Sequence, residues 1–280
     1  MPELPEVETL ARSLTSLILG LRFEAVRFYR RDLRDPIPVE GFKKALLGHT
    51  VSHITRRSKY LVIETHDGGC GIFHLGMSGQ MLHLAQGKPE LPHTHLVMTF
   101  SEPGGEQHFI HFVDPRRFGR IHFSQKNLWD DHPLFQKLGP EPLDQKNLGL
   151  HLFRKGKTST RTVKSLIMDS GIVTGVGNIY ACESLFLASV HPLTPSNKLS
   201  EVQWSNLGKA IKDTLRKAIK AGGTTIKDFK QMNGQKGYFA IQLNMYGRDG
   251  QDCPQCQKSI SVLKISGRNT WFCENCQKLN

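Results

Sequence analysis

Pro2 has the most unusual chemical prospect in this sequence. Loss of an initiator methionine ahead of so small a residue leaves proline as an N-terminal secondary amine. An α-amino group titrates at about 8, roughly two units below lysine, so more of it is unprotonated and nucleophilic at neutral pH. Attack on the anomeric carbon of a sugar gives an iminium ion, an electron sink that makes neighbouring C–H bonds acidic. Glu3, next in the chain, is the acid or base for those proton transfers. The same stretch, Met1-Pro2-Glu3-Leu4-Pro5-Glu6, also suits the first turn of a helix, where a missing N–H costs nothing and carboxylates face the positive end of the macrodipole. Residue type alone leaves both readings open.

A second constellation lies at the other end. Cys253, Cys256, Cys273 and Cys276 form two C-x-x-C pairs separated by 16 residues, the spacing of a four-thiolate zinc site built from two knuckles. A redox C-x-x-C needs no second copy, and a reducing compartment disfavours disulfides. Residues 259–265 and 270–272 between the pairs read as two strands joined by a turn at Ser266-Gly267-Arg268-Asn269. Cys70 and Cys182 have no partner at metal spacing and read as ordinary thiols.

A third group could hold phosphate. Gly175-Val176-Gly177-Asn178 leads into an apolar helical pattern, so Asn178 could cap that helix while its first N–H groups point at an anion; capping alone explains the pattern as well. Upstream, Arg154, Lys155, Lys157, Arg161 and Lys164 run without an intervening acid. The formal net charge of +12, with 37 Lys and Arg, makes nucleic acid the first partner to consider and an anionic membrane surface the second. No apolar run approaches the roughly 20 residues of a membrane span, and the acidic start lacks a signal peptide's pattern, which points to the cytoplasm.

The elements that must position these groups follow from periodicity. Val7, Leu10, Ala11, Leu14, Leu17 and Ile18 predict a helix from Pro5 to Gly20. Short β-type runs at 23–28, 51–56, 60–63, 71–75, 95–100, 107–113 and 119–123 predict an antiparallel sandwich or barrel. Leu138-Gly139-Pro140-Glu141-Pro142-Leu143 reads as a linker. Helical patterns follow at 147–154, 162–169, 179–188 and 200–221. The expected organisation is an α+β multidomain chain. Its parts are an N-terminal β-sandwich with its helix (1–136), a linker (137–145), a helical domain (146–245) and a β-hairpin zinc finger (246–280).

The opening Met1-Pro2-Glu3-Leu4-Pro5-Glu6-Val7-Glu8-Thr9 resembles that of the bacterial formamidopyrimidine-DNA glycosylases. Matching motifs recur at Arg56-Arg57-Ser58-Lys59-Tyr60-Leu61, His74-Leu75-Gly76-Met77-Ser78-Gly79, Asp114-Pro115-Arg116-Arg117-Phe118-Gly119, Gly175 to Glu183 and the four cysteines. The resemblance implies a helix-two-turn-helix domain and a bifunctional glycosylase and AP lyase acting on damaged double-stranded DNA as a monomer. It makes Pro2 the Schiff-base nucleophile and Glu3 the proton donor. Lys59 and Arg268 become phosphate contacts and proton donors, and Glu6 is set at the base pocket unless it is only a first-turn acid. It assigns DNA contacts to His74, His95, Arg116, Lys164 and Asn178, and gives Met77, Arg116 and Phe118 the task of filling the stack when a nucleotide is flipped out. One structural zinc follows, and a bacterial cytoplasm with association to the nucleoid.

The polar, glycine-rich stretch at about 222–240 resembles the lid over an extruded 8-oxoguanine, and Leu4 agrees with this branch rather than with the endonuclease VIII branch, whose members have glycine there. Thr94, within His93-Thr94-His95, and Asn233 depart from the usual aspartates. The expected substrates are therefore oxidised purines, with β,δ-elimination after base release. Oxidised pyrimidines are the near alternative. A non-catalytic zinc-finger protein binding damaged DNA is the distant one, and it has no need of Pro2, Glu3 or Lys59.

Overall fold

The head of the first helix is fixed by its own sequence. In the computed structural model, α1 (Leu4–Ile18) starts with Pro5 in its first turn, and Glu3 and Glu6 form a capping box in which Glu3 N–H donates to Glu6 Oε2 at 2.9 Å. Val7, Leu10, Ala11, Leu14 and Ile18 make one buried stripe, and that stripe joins the core of the sandwich. Residues 2–66, 68–84, 91–125, 128–222 and 243–279 are described by the structure, so nearly all of the expected lid, with Asn233, lies outside them.

Two compact units divide the chain, the first running to Gln136 and the second comprising Lys137–Ala221 with Ala240–Asn280. In the first, one antiparallel sheet has β1 (Arg22–Phe28), β6 (Thr94–Ser101), β7 (Gln107–Val113) and β5 (Gln80–Leu84) side by side in that order. The other has β2 (Val51–Arg57), β3 (Tyr60–Thr65), β4 (Cys70–His74) and β8 (Arg120–Ser124). Inward residues of both sheets share one core, including Phe23, Leu61, Ile63, Phe73, Phe100, Ile110, Phe112 and Ile121. Phe23 meets Phe100 edge to face at 4.7 Å. Each such phenylalanine contributes about 1.5–3 kcal/mol by leaving water.

Two elements were not legible from periodicity. Helix α2 (Val39–Leu46) interrupts the β region; its stripe of Val39, Phe42, Ala45 and Leu46 is only two turns long and follows two prolines. Strand β5 is short and, among the described residues, an edge strand paired with β7 alone. Cys70 is fully buried, and burial pushes its thiol up to about 12, which keeps it an inert packing group.

The second unit holds α3 (Leu148–Gly156), α4 (Val163–Ile167), α5 (Asn178–Leu187), α6 (Glu201–Lys220), and a hairpin of β9 (Ser261–Ile265) and β10 (Arg268–Phe272). Side chains of Asn147, Thr162 and Ser200 cap α3, α4 and α6. Helices α3 and α6 approach so closely that a Cβ on Gly208 would lie 2.6 Å from the Gly149 nitrogen. Cys182, Phe186 and Met245 pack with Cys253, Ile260 and Cys273, so the cysteine module shares a core with the helices. Among the described residues no helix is long and apolar enough to cross a membrane.

Candidate active site and phosphate-binding surfaces

At the head of α1, Pro2 is buried and the carboxylate residues Glu3 and Glu6 are fully buried. Glu6 accepts from the Glu3 backbone, so the first-turn role foreseen for it is present. Glu8, one turn along, reaches Arg56 on β2: Nε donates to Glu8 Oε2 at 3.2 Å, and Nη1 donates to the Ser58 carbonyl at 2.9 Å. Ser58 and Lys59 are the two-residue turn between β2 and β3, with Ser58 at φ +57°. Arg56 therefore fastens the turn that carries Lys59 to the helix that carries Pro2 and Glu3. Sequence reasoning passed over it because an arginine in a strand normally faces water.

His74 stands across from Tyr60 on β3 and Arg120 on β8. Its Nδ1 accepts from Gly76 N–H at 3.0 Å, and burial, aided by the positive charges of Lys59, Arg120 and Arg34, pushes its pKa down to about 3. The ring is thus neutral, with Nε2–H as a donor suited to a phosphate oxygen. Arg120, missed from sequence, donates from Nε to Asp35 at 2.9 Å.

Met77 and Phe118 are exposed on the loops 75–79 and 114–119, with the Arg116 guanidinium 4.9 Å over the Phe118 ring. His95 lies elsewhere than its expected DNA-contacting role requires. It is buried, and Nε2 donates to the Asp114 carbonyl at 2.8 Å. The departing Thr94 is buried too.

In the second unit the structure brings Lys164, Asn178 and the finger hairpin together. Lys164 is fully buried, not part of an exposed basic face; its Nζ donates to Asn178 Oδ1 at 2.6 Å and to Thr270 Oγ1 at 2.5 Å. Asn178 does not cap α5. Gly177 takes that place, and Asn178 is the first helical residue, its Nδ2 donating to the Asn269 carbonyl at 2.9 Å. Arg268 is not in the turn but opens β10, because Ser266 and Gly267, both at positive φ, make a two-residue turn that pairs Arg268 with Ile265. Thr270 Oγ1 donates to the Arg268 carbonyl at 3.2 Å, which leaves the exposed Arg268 side chain on a fixed backbone. A cavity of about 260 Å³ beside it is lined by Arg161, Lys164, Ser165, Asp169, Ser266 and Arg268 among others. Arg161 donates to Asp169 at 2.8 Å and holds that carboxyl below its usual range, whereas Arg154, Lys155 and Lys157 are exposed cations.

Glu183, the one acid on α5 and buried like its neighbours from Ile179 to Phe186, accepts the N–H groups of Asn244, Met245 and Tyr246 and so anchors the entry to the finger. Its sequence signal was a carboxylate inside an apolar helix, a pattern that demands partners. Beyond it the Sγ atoms of Cys253, Cys256, Cys273 and Cys276 all lie within 4.8 Å of one another. Gln257 N–H donates to Cys253 O and Gln277 N–H to Cys273 O, the same tight knuckle made twice. Four soft thiolates converging in this way suit one tetrahedral Zn²⁺ and leave no open position for water, which makes the metal structural.

Residues 1–121 match the formamidopyrimidine-DNA glycosylase N-terminal domain, 138–230 the formamidopyrimidine-DNA glycosylase H2TH domain, and 250–279 the zinc finger found in FPG and IleRS. A formamidopyrimidine-DNA glycosylase of Vibrio vulnificus (strain YJ016) is 43% identical over 277 residues, covering 99% of this chain and all of the relative. The Lactococcus lactis Fpg (MutM) in complex with DNA containing N7-benzyl-Fapy-dG superposes with a TM-score of 0.89 at 34% identity, over 99% of this chain and 100% of that one. The same organism's Fpg bound to abasic-site DNA gives 0.88 at 34%, over 99% of each chain.

Proposed function

The chain belongs to the formamidopyrimidine-DNA glycosylase family, and from that premise we propose that it removes oxidised purines, formamidopyrimidines and 8-oxoguanine, from duplex DNA and then cuts the strand. The Pro2 amine attacks C1′ of the damaged nucleoside and the base departs. Glu3 donates a proton to the ring oxygen as the sugar opens to an iminium. That iminium acidifies C2′–H, so the 3′ phosphate leaves by β-elimination and the 5′ phosphate by δ-elimination. Lys59, His74, Asn178 and Arg268 hold backbone phosphates, with Lys59 and Arg268 also serving as proton donors; such contacts position without reading sequence and weaken as salt rises. Lys164 acts through Asn178 rather than on DNA itself. Glu6 shapes the base pocket while capping α1. The zinc holds the finger and takes no part in the chemistry. The protein works as a monomer at the nucleoid of a bacterial cytoplasm.

The observation that carries this reading is the burial of Pro2, Glu3 and Glu6 together at the head of α1. The capping box offsets part of the cost of burying these carboxylates, and buried acids set beside an amine cluster at functional sites. Borohydride reduction tests it, with protein shown by mass spectrometry to lack Met1 and duplexes carrying 8-oxoguanine, an oxidised pyrimidine or no lesion. A cross-link mapping to Pro2, strongest with 8-oxoguanine and absent in Pro2→Gly, is expected. Better trapping on the pyrimidine duplex would overturn the substrate, and tight binding with neither cross-link nor cleavage would overturn the enzyme.

A further inference from the structure

Asp114, directly after β7, is fully buried, and three groups from two different loops converge on its carboxylate. Oδ1 accepts from Ser78 Oγ at 2.6 Å and from Arg116 N–H at 3.3 Å, and Oδ2 accepts from Gly119 N–H at 2.7 Å. Ser78 Oγ in turn accepts from Arg116 N–H at 3.2 Å, closing a triangle across the loops. The Asp114 carbonyl takes the His95 ring and the Arg117 N–H. The backbones touch as well: Gly76, at φ +63°, lies where a Cβ would come within 2.4 Å of the Phe118 carbonyl carbon.

These two loops carry Met77 on one side and Arg116 and Phe118 on the other. Met77 and Phe118 are 38% and 39% exposed, large apolar groups held in water on backbones tied together by these bonds. A side chain that must enter a base stack loses freedom when it does so, and a wedge already ordered in the free protein loses less. A loop pair joined only by packing would not provide that order, because it would slide.

We infer that Asp114 and Ser78 are positioning residues that lock Met77, Arg116 and Phe118 into one preformed wedge, so that both loops enter the DNA stack as a single event. The inference rests on the reading of these three side chains as void fillers. Asparagine at 114 can accept at one oxygen only, so Asp114→Asn frees either Gly119 or the Ser78–Arg116 arm. Ser78→Ala cuts the cross-loop arm alone, and Ser78→Thr retains the hydroxyl.

The test uses the full zinc-loaded protein, single-turnover excision and 2-aminopurine beside the lesion as a reporter of unstacking. With 8-oxoguanine paired to cytosine, Ser78→Ala is expected to slow both the fluorescence change and excision by about 5–20-fold. On a preformed abasic duplex, where extrusion is easier, its effect is less than about 2-fold. Duplex affinity should change by less than about 2-fold, and Ser78→Thr should regain most of the lost rate. Ser78→Ala should slow excision less in a Phe118→Ala background than in the parent, because the two changes act on one wedge. A Ser78→Ala protein as fast as the parent, or one equally slow on paired and abasic substrates, overturns the wedge. Normal excision by Phe118→Ala overturns the void-filling reading beneath it.

Discussion

Two hairpins, one in each unit, carry one proposed phosphate-binding cation apiece, and they are built alike at the turn but not below it. Both turns have two residues with a serine in the left-handed region, Ser58 at φ +57° and Ser266 at φ +49°. Both have a buried cation underneath. Arg56 donates to the Ser58 carbonyl under Lys59, and Lys164 donates to Thr270, which donates to the Arg268 carbonyl. Arg56, however, also pairs with the Glu8 carboxylate on a helix packed into an eight-stranded sandwich, whereas the bonds of Lys164 described above run to neutral oxygens in a two-stranded hairpin. One cation is held by a large apolar core with a polar tie, the other by polar ties and a metal. The same surface geometry can thus rest on foundations that fail under different treatments.

Metal removal separates them most. A lone two-stranded hairpin is at best marginally stable in water, and zinc binding to finger peptides is worth about 10–16 kcal/mol of folding free energy. Chelation should therefore abolish hydrogen-exchange protection in β9 and β10 and with it duplex binding, while β3 and β7 keep theirs. Protection of β9 surviving complete zinc loss would mean that the shared core of Cys182, Phe186 and Met245 suffices by itself.

Loss of the buried cations comes next. Lys164→Met keeps most of the volume but leaves Asn178 Oδ1 and Thr270 Oγ1 without their donor, at about 2–4 kcal/mol, read as a lower urea midpoint with m unchanged. Affinity for duplex should drop about 10-fold, because the polar ties setting Asn178 and the Arg268 backbone are gone. Arg56→Met should cost about 1–2 kcal/mol, since Glu8 is partly exposed and keeps Arg12. A larger loss from Arg56→Met would reverse the comparison.

Acid should act on the sandwich hairpin through His74. Its folded pKa, about 3, lies below the ordinary 6.5, so as pH falls the unfolded chain takes up the proton first. Stability is therefore lost between about 6.5 and 3 and is flat below; at pH 5 the loss is about 2 kcal/mol. His74→Gln should flatten the pH dependence of the urea midpoint over that window. An unchanged slope would mean that the ring is not held neutral by burial and by its cationic neighbours.

Much of this molecule is legible in the sequence, for reasons that are local. The helix at Leu4–Ile18, the capped helices of the second unit and the cysteine knuckles depend on periodicity, caps or fixed spacing, which a reader can see. What escaped depends on partners far along the chain. Nothing near Arg56 announces Glu8, 48 residues away, and nothing near Lys164 announces Thr270, 106 residues away. A run of five cations looks the same whether one of its lysines is solvated or fully buried. The position of Arg268 turned on a subtler point, a serine accepting positive φ beside Gly267, which shortened the turn to two residues and moved the arginine into the strand.

The finest contrast lies within one residue. Glu8 accepts from Arg12 Nε at 2.9 Å and from Arg56 Nε at 3.2 Å, so distance alone ranks the Arg12 pair first. Exposure reverses the order: the Arg12 side chain is 66% exposed and that of Arg56 only 8%. Water screens the first pair and competes for both of its ends, while the second is shielded and has its geometry fixed by the Ser58 carbonyl. Double-mutant cycles with Glu8→Gln should give a coupling of about 0.3 kcal/mol to Arg12→Ala and about 1 kcal/mol or more to Arg56→Ala, the former vanishing in high salt. Base excision should follow the second cycle only, because Arg56, unlike Arg12, ties α1 to the turn that carries Lys59. Equal couplings would show that the hairpin is positioned by its apolar core without the polar tie, and would remove one of the two foundations compared above.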